Sequence, residues 1–187
     1  FFFGCCVFSR NMVRSPPTLA ITDVSPVLKK VLHERKEIFD STELTAAPVA
    51  QFYDLDLWDA HLEHCAAAFG ETVHHFIAIK SNSITRMLKY ALDTHGFGVE
   101  CASIGEVLHA MNHCRIPCDK IVFDSPCKTV SELQFAIQHK IHCNLDNFDE
   151  YERAVAIVAA NGGLETGGIG MRINPLVGAG TIAALSV

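Results

Sequence analysis

Apolar and polar positions form blocks of two kinds along this chain. From residue 49 onward, apolar runs of four to six residues alternate with amphipathic segments of ten to fourteen residues. This alternation is typical of successive βα units that build a parallel sheet. It predicts six strands, near residues 50–54, 74–79, 97–101, 120–123, 141–145 and 169–174, with helices between them.

Local signals at the predicted helix starts support this pattern. The segments Ser103–Glu106 and Thr129–Glu132 have the spacing of capping boxes, in which a hydroxyl and a carboxylate satisfy unpaired backbone amides. Asn82 or Ser83 is expected to cap the helix after the second predicted strand. Six βα repeats fit either an open doubly wound sheet or most of an eight-stranded barrel, and both folds gather their chemistry at the carboxyl ends of the strands.

Residues 1–48 differ in character and are interpreted as an N-terminal extension, which leaves 49–187 as the domain. In the extension, Ser15-Pro16-Pro17 resembles a linker and Pro26–Phe39 predicts one charged amphipathic helix. The run Phe1–Phe8 is too short to span a bilayer, and Met12 is the first methionine. Residues before Met12 are therefore interpreted as a targeting remnant or as part of an upstream reading frame.

Composition narrows the class of partner. Hydrophobic residues make up 49% and charged residues 19% of the 187, as in an ordinary globular protein. The net charge of −6 comes without a Lys/Arg stripe, which argues against nucleic acid as a partner. No stretch is long and apolar enough to predict a membrane span.

The eight cysteines are scattered through apolar segments, so we expect reduced thiols and a cytoplasmic protein, with the plastid as an alternative.

One cluster has the residue types of a zinc site. His109, His113, Cys114 and Cys118 could hold a metal ion at a helix end, but no second pair completes the set, so we expect no metal. The alternative of a metal-binding or structural domain built on this cluster stays open. The group from Gly167 to Gly170 precedes a strand, whereas a dinucleotide fingerprint follows one, so we interpret it as a plain turn.

Lys80 is the main candidate for chemistry. It follows the apolar run Phe76–Ile79 at the end of a predicted strand. We expect weak solvation of an ammonium group at such a place, and a neutral amine can attack an aldehyde to form a Schiff base. The other predicted strand ends carry further polar residues, which we expect to surround this lysine: Glu100, Asp124, Asn144, Asp146, Arg172 and Asn174.

Four motifs, which contain Lys80, Glu100, Arg172 and Asn174 among other residues, follow one another along the chain. Their order resembles that of the fold type III pyridoxal-phosphate decarboxylases, a family that includes diaminopimelate, ornithine and arginine decarboxylases. The resemblance runs from about Phe52 to Val187. The motifs are Phe76-Ile77-Ala78-Ile79-Lys80-Ser81-Asn82, Gly96-Phe97-Gly98-Val99-Glu100-Cys101-Ala102-Ser103 with Gly105-Glu106, Ile121-Val122-Phe123 with Ser125-Pro126-Cys127-Lys128-Thr129, and Arg172-Ile173-Asn174-Pro175. The fold implied is an α/β (β/α)8 TIM barrel of the alanine racemase-like type, of which the chain covers about the first six βα units.

The resemblance implies roles for five residues. Lys80 would carry pyridoxal 5′-phosphate as a Schiff base, and Ala78 matches a small residue that lets the cofactor ring lie close to the strand. Glu100 matches an acidic position near that lysine where relatives place an aspartate, so the site is shifted or the role altered. Arg172 matches an arginine near the cofactor. Asp124 is expected as a neighbour of the cofactor, although relatives often carry a small neutral residue at that position.

The reaction implied is decarboxylation of an amino acid, with meso-diaminopimelate ahead of ornithine as the substrate. A non-catalytic homologue that binds the cofactor or a protein partner is the alternative of another class. Relatives continue beyond the position of Val187 with further barrel strands, a phosphate-binding loop and a β-sandwich domain that completes a homodimer. We therefore expect this chain to be a fragment that is inactive alone, since Gly178-Ala179-Gly180-Thr181 is not a credible phosphate loop.

Overall fold

The computed structural model describes residues 29–30, 33–34, 53–70, 72–163 and 165–173. The described residues from Asp59 onward belong to one compact unit. Within the predicted helix Pro26–Phe39, residues 29–30 and 33–34 are helical, and the rest of that prediction lies outside the described residues.

Helices and strands alternate through the described chain. The helices are α1 (Leu55–Phe69), α2 (Thr85–His95), α3 (Ile104–Asn112), α4 (Val130–Gln138) and α5 (Phe148–Ala160). The strands are β1 (Phe76–Ala78), β2 (Gly98–Cys101), β3 (Ile121–Asp124), β4 (His142–Leu145) and β5 (Ile169–Met171). All neighbouring strands are parallel, and their order in the sheet is β1-β2-β3-β4-β5.

Five of the six predicted strands are present where the apolar runs placed them, and one prediction is wrong in its described part. Tyr53 and Asp54 do not form a strand, and residues 50–52 lie outside the described residues. The Asp54 carboxylate instead accepts a hydrogen bond from the Leu57 amide at 2.9 Å, as an N-terminal helix cap does, and α1 begins at the next residue. The capping interaction therefore outweighs the short apolar run in this segment.

The core lies on one face of the sheet. Side chains of a strand point alternately to its two faces, and one set packs against the helices. This set is buried in a single apolar cluster with Leu88, Val107 and Leu133 of the helices, and its strand members are Val99, Cys101, Ile121, Phe123, Cys143 and Leu145. The opposite face therefore carries the alternate residues, which are Phe76, Ala78, Gly98, Glu100, Val122, Asp124, His142, Asn144 and Gly170.

The helix starts follow the predicted chemistry with two exceptions. Thr129 and Glu132 form a complete capping box, whereas the Glu106 carboxylate accepts the amide of Ala102 at 2.7 Å instead of that of Ser103. The expectation that Asn82 or Ser83 caps α2 is wrong. The Asn82 amide oxygen accepts the Ile84 amide at 3.0 Å before the helix, which begins at Thr85 with no side-chain cap.

Gly98 allows β1, β2 and the turn before β3 to meet. A Cβ atom at this position would overlap the Lys120 carbonyl oxygen and the Phe76 ring. Because Phe76 pairs with Gly98 in the sheet register, only a residue without a side chain lets the two strands pack at this end. The absence of a side chain here thus helps to set the register of β1, on which the position of Lys80 depends.

Candidate active site

Lys80 lies immediately after β1, in a one-turn 3-10 helix over Ile79–Ser81. The predicted strand 74–79 is therefore shorter in the structure. Ile79 is buried and anchors the turn, and the Ser81 hydroxyl donates to the Ala78 carbonyl at 2.7 Å. These contacts hold the backbone of Lys80 at the carboxyl edge of the sheet.

The side chain of Lys80 is 61% exposed, so the expectation of a poorly solvated ammonium is wrong for the described chain. The apolar run predicts burial of the strand, but the lysine extends from the turn beyond it into open space. Its amine is accessible to a small molecule at this edge.

Glu100 is the acid beside this amine. Its Oε1 lies 3.9 Å from Lys80 Nζ, and its side chain is only 12% exposed. Glu100 pairs with Ala78 in the register of β1 and β2, which places it one strand from the lysine turn. Burial raises the pKa of the Glu100 carboxyl above its ordinary value of 4.5; the Lys80 ammonium opposes this rise, and the Asp124 carboxylate adds to it.

Arg172 forms the second charged group, after β5. Its Nη1 lies 3.1 Å from Asp146 Oδ1 and its Nε lies 3.5 Å from Asp124 Oδ1. Its backbone amide donates to the Leu145 carbonyl at 2.8 Å, which extends the β4–β5 pairing by one residue. Asp124 Oδ1 is buried and accepts no hydrogen bond among the described residues, so the guanidinium is the cation that offsets its charge.

The remaining predicted polar residues differ in their positions. The Asn144 amide oxygen is hydrogen-bonded to His142 Nε2 at 3.0 Å, and a Cβ atom at Gly170 would overlap that oxygen. Asn174 and the segment 178–181 lie outside the described residues. The structure thus brings Lys80 to Glu100 and Arg172 to Asp124 and Asp146, and Asn144 is already engaged within the sheet.

Two charged residues of this edge have no role in the sequence interpretation. Lys128 belongs to the motif Ser125-Pro126-Cys127-Lys128-Thr129, and the sequence pattern predicts no function for it or for Glu150. Their side chains are 0% and 1% exposed, and Lys128 Nζ lies 3.0 Å from Glu150 Oε2. Asn147 and Glu150 have the spacing of a helix cap, which could have indicated that Glu150 faces the preceding loop.

The candidate zinc cluster has no geometric support. Cys114 Sγ approaches His109 Nε2 at 3.4 Å, but that nitrogen also lies 3.0 Å from the Ser83 carbonyl oxygen. Throughout the part of the chain that the structure describes, no three of its histidine, cysteine and acidic side chains converge in a way that could hold an ion.

The edge described above fits the reactive end of an aldehyde cofactor. Lys80 offers an accessible amine, Glu100 offers a half-buried carboxyl close to it, and Ala78, the last residue of β1, is a small residue directly before the lysine turn. The buried Asp124 Oδ1 has no hydrogen-bond partner among the described residues, so this edge still has an acceptor for a hydrogen bond from a bound group.

Among the described helices, none is long and apolar enough to cross a membrane.

Comparison with known proteins identifies the family of this chain. Residues 56–186 match the family described as pyridoxal-dependent decarboxylase, pyridoxal binding domain. Diaminopimelate decarboxylase of Pseudomonas fluorescens is 34% identical over 128 residues, which are 65% of this chain and 30% of the relative. Antizyme inhibitor 2 of Homo sapiens is 32% identical over 117 residues, which are 62% of this chain and 25% of the relative. The chain thus spans about a quarter to a third of the length of these curated relatives.

A solved structure shows the same fold. Diaminopimelate decarboxylase from Helicobacter pylori, complexed with L-lysine, superimposes with a TM-score of 0.62 at 29% identity and covers 78% of this chain and 36% of that one. The α/β fold class is therefore confirmed, as part of a TIM barrel whose described residues form five parallel strands with helices between them. The chain belongs to the family of pyridoxal-dependent decarboxylases through the pyridoxal binding domain that residues 56–186 match, and the cofactor of that domain is pyridoxal phosphate.

Proposed function

We propose that this chain is the first part of the cofactor-binding barrel of an amino-acid decarboxylase, with Lys80 as the residue that binds pyridoxal phosphate. The observation that supports the proposal most directly is the Lys80 amine at the carboxyl edge of a parallel sheet, 3.9 Å from the half-buried carboxyl of Glu100. We place the domain at 49–187, as an incomplete barrel, with 1–48 as an extension. Further barrel strands and a β-sandwich domain would complete it in a homodimer.

When bound, pyridoxal phosphate supplies an electron sink for loss of a carboxylate from the substrate. The residues of this chain provide orientation and charge. Lys80 would supply the amine that holds the cofactor aldehyde. Glu100, whose Oε1 lies 3.9 Å from that amine, would hold or return its proton once the two groups approach to hydrogen-bond distance. The pKa of the Glu100 carboxyl is raised by burial, and a shift in this direction suits proton exchange because it moves the pKa toward neutral pH.

Arg172 supplies a fixed cation at the same edge. Two carboxylates already hold its guanidinium in place. Binding of an anionic group would therefore cost little further side-chain entropy. We assign Asp124 as a cofactor neighbour through this arginine, and Ala78 as the small residue that leaves room for the cofactor ring. These assignments are specific to the described residues; the phosphate-binding elements would come from later in the sequence.

The substrate we propose is meso-diaminopimelate, with lysine as the product and ornithine as the alternative. Identity to the Pseudomonas fluorescens diaminopimelate decarboxylase and the likeness to the Helicobacter pylori enzyme with bound L-lysine support this order. Release of carbon dioxide from each amino acid by the full-length protein tests it. Preference for ornithine would reverse the order, and no release from any amino acid would overturn the decarboxylase assignment.

A second candidate function is regulatory. Antizyme inhibitor 2, whose name describes an inhibitor and not an enzyme, is 32% identical to this chain. A homologue of that kind would keep the barrel without turnover. Cofactor attached to Lys80 together with carbon dioxide release distinguishes the enzyme from such a homologue.

The described cysteines, Cys65, Cys101, Cys114, Cys118, Cys127 and Cys143, are all free. Free thiols are typical of reducing compartments, so they support our proposal of a cytoplasmic protein, with the plastid as an alternative.

The attachment point has a direct test. Borohydride reduction of the full-length protein, followed by peptide mass spectrometry, should find the cofactor on Lys80, and Lys80→Ala should abolish both the adduct and the visible absorbance. Lys89→Ala is the matched control because Lys89 is an exposed lysine of α2 that is bound only to Asp93 among the described residues, at 3.0 Å. An adduct on another lysine, or none, would contradict the proposal.

A further inference from the structure

The buried pair of Lys128 and Glu150 links two loops at the carboxyl edge. Lys128 Nζ donates to the carbonyl oxygens of Ser125 at 2.8 Å and Asn144 at 2.6 Å, and to Glu150 Oε2 at 3.0 Å. Ser125 follows β3 and Asn144 is in β4, so one ammonium group holds the ends of both strands together.

Glu150 completes the connection from the other side. Its Oε2 accepts the backbone amide of Asp146 at 2.8 Å, and its Oε1 accepts the backbone amide of Lys128 at 3.2 Å. The Asn147 side chain accepts the Glu150 amide at 2.9 Å, which fixes Glu150 at the first turn of α5. The carboxylate thus has a cation and two backbone amides as partners.

This arrangement reaches Arg172 through Asp146. The amide of Asp146 is fixed by Glu150, and the carboxylate of the same residue lies 3.1 Å from Arg172 Nη1. The other partner of the arginine, Asp124, immediately precedes Ser125, whose carbonyl Lys128 holds. Both acids that orient the guanidinium are therefore in backbone segments that the buried pair restrains.

Stability alone does not explain why a lysine and a glutamate are buried together at this place. Burying two charges carries a large desolvation cost, and apolar residues of similar volume are often equally stable. What a buried pair provides that apolar residues do not is directional contact to specific backbone groups, here two carbonyls and two amides. An exposed pair, such as Lys140 with Glu165 at 3.0 Å, has no such partners in the described chain.

We infer that Lys128 and Glu150 are positioning residues that set the guanidinium of Arg172 at the cofactor edge, acting through Asp146. The inference deepens the proposed function, on which its catalytic readout rests. It assigns a role to two residues that do not touch the cofactor. Loosening the pair would let Asp146 turn and would misplace the arginine without removing it.

The test compares Glu150→Gln in two backgrounds of the full-length protein. In the otherwise unchanged protein, E150Q should lower kcat/KM for decarboxylation about tenfold or more, because a displacement of about 1 Å in an active site lowers the rate strongly. It should also weaken cofactor affinity in a fluorescence titration. In an Asp146→Ala background the same change should cost less than about twofold, since the residue through which Glu150 acts is gone. E165Q, in the exposed Lys140–Glu165 pair, is the matched control.

An equal loss in both backgrounds would overturn the inference and leave Glu150 a purely structural residue. The double variant Lys128→Met with Glu150→Met guards against misfolding because it fills the same space without an unpaired charge. It should keep much of the stability that K128M alone loses, yet show the same loss of cofactor affinity; unchanged affinity would contradict positioning.

Failure of the proposed function can be separated from failure of this inference. If the full-length protein binds no cofactor and releases no carbon dioxide, the proposed function fails. A crystal structure of E150Q then decides the inference by itself: separation of Arg172 Nη1 from Asp146 Oδ1, which are 3.1 Å apart here, supports it, and an unchanged distance overturns it.

Discussion

Replacing Lys128 by methionine should destabilise this domain more than any exposed lysine substitution. The Lys128 ammonium is fully buried, and its three acceptors lie at 2.6, 2.8 and 3.0 Å. K128M leaves the Glu150 carboxylate buried without its cation and removes the donor from two carbonyl oxygens. Breaking a buried pair from one side costs about 3–5 kcal/mol, and the two orphaned carbonyls place our expectation in the upper half of this range.

The measurement is urea unfolding of the barrel transition in the full-length protein, followed by circular dichroism. K140M is the reference because Lys140 forms a pair of equal length, 3.0 Å, with Glu165 on the surface, where such pairs contribute about 0–1 kcal/mol. The double variant K128M/E150M should recover much of the loss, since no charge stays buried alone.

A cost for K128M within about 1 kcal/mol of that for K140M would refute this reasoning, because it would mean that water or another cation replaces the ammonium. A double variant as unstable as K128M alone would also refute it. The loss would then arise from packing around the lysine stem and not from the unpaired carboxylate.

Four further substitutions, one of them a control, test other parts of the structure. Gly98→Ala should cost about 1–3 kcal/mol in the same assay because its Cβ would overlap a carbonyl oxygen and an aromatic ring, whereas Gly105→Ala, with its nearest neighbour at 3.7 Å, should be neutral or slightly stabilising. Glu100 has a raised folded pKa, so stability should fall as pH rises from about 4.5 through that pKa, and Glu100→Gln should flatten this slope; an unchanged slope would contradict the role of burial. Asp59 has a pKa lowered chiefly by its hydrogen bond to His95, so its contribution should be present above pH 3.8 and disappear as pH falls through the folded pKa. Asp59→Asn should remove that acid-side loss, as measured by thermal unfolding between pH 2 and 5, and a curve that keeps its shape would argue against the hydrogen bond.

The element pattern was determined by local sequence. Apolar runs separated by amphipathic segments predict parallel βα units because each strand must be buried by the helices beside it, and five strands lie where these runs placed them. The capping box at Thr129 and Glu132 is equally local, since both partners lie within one turn. The prediction failed at residues 53–54, where an aspartate that caps a helix outweighs a weak apolar signal.

In the candidate site, too, the sequence predicted some features correctly and others wrongly. The order of motifs along the chain indicated Lys80, Glu100 and Arg172, and the parallel sheet places their strand ends at one edge as a consequence of topology. The solvation of Lys80 was predicted wrongly, because the exposure of a side chain beyond a strand end depends on how the turn directs it and on which chain segments surround it.

Only the tertiary structure decided which charges become partners. Lys128 and Glu150 are 22 residues apart, and Asp146 and Arg172 are 26 residues apart, so no local pattern could pair them. Their pairing follows from the register of three adjacent strands, which is set by packing across the whole sheet. The sequence alone therefore determined the βα units and the amine at a strand end, and the packed sheet determined which acid, amide and carbonyl each cation contacts, because those contacts join segments that only the fold brings together.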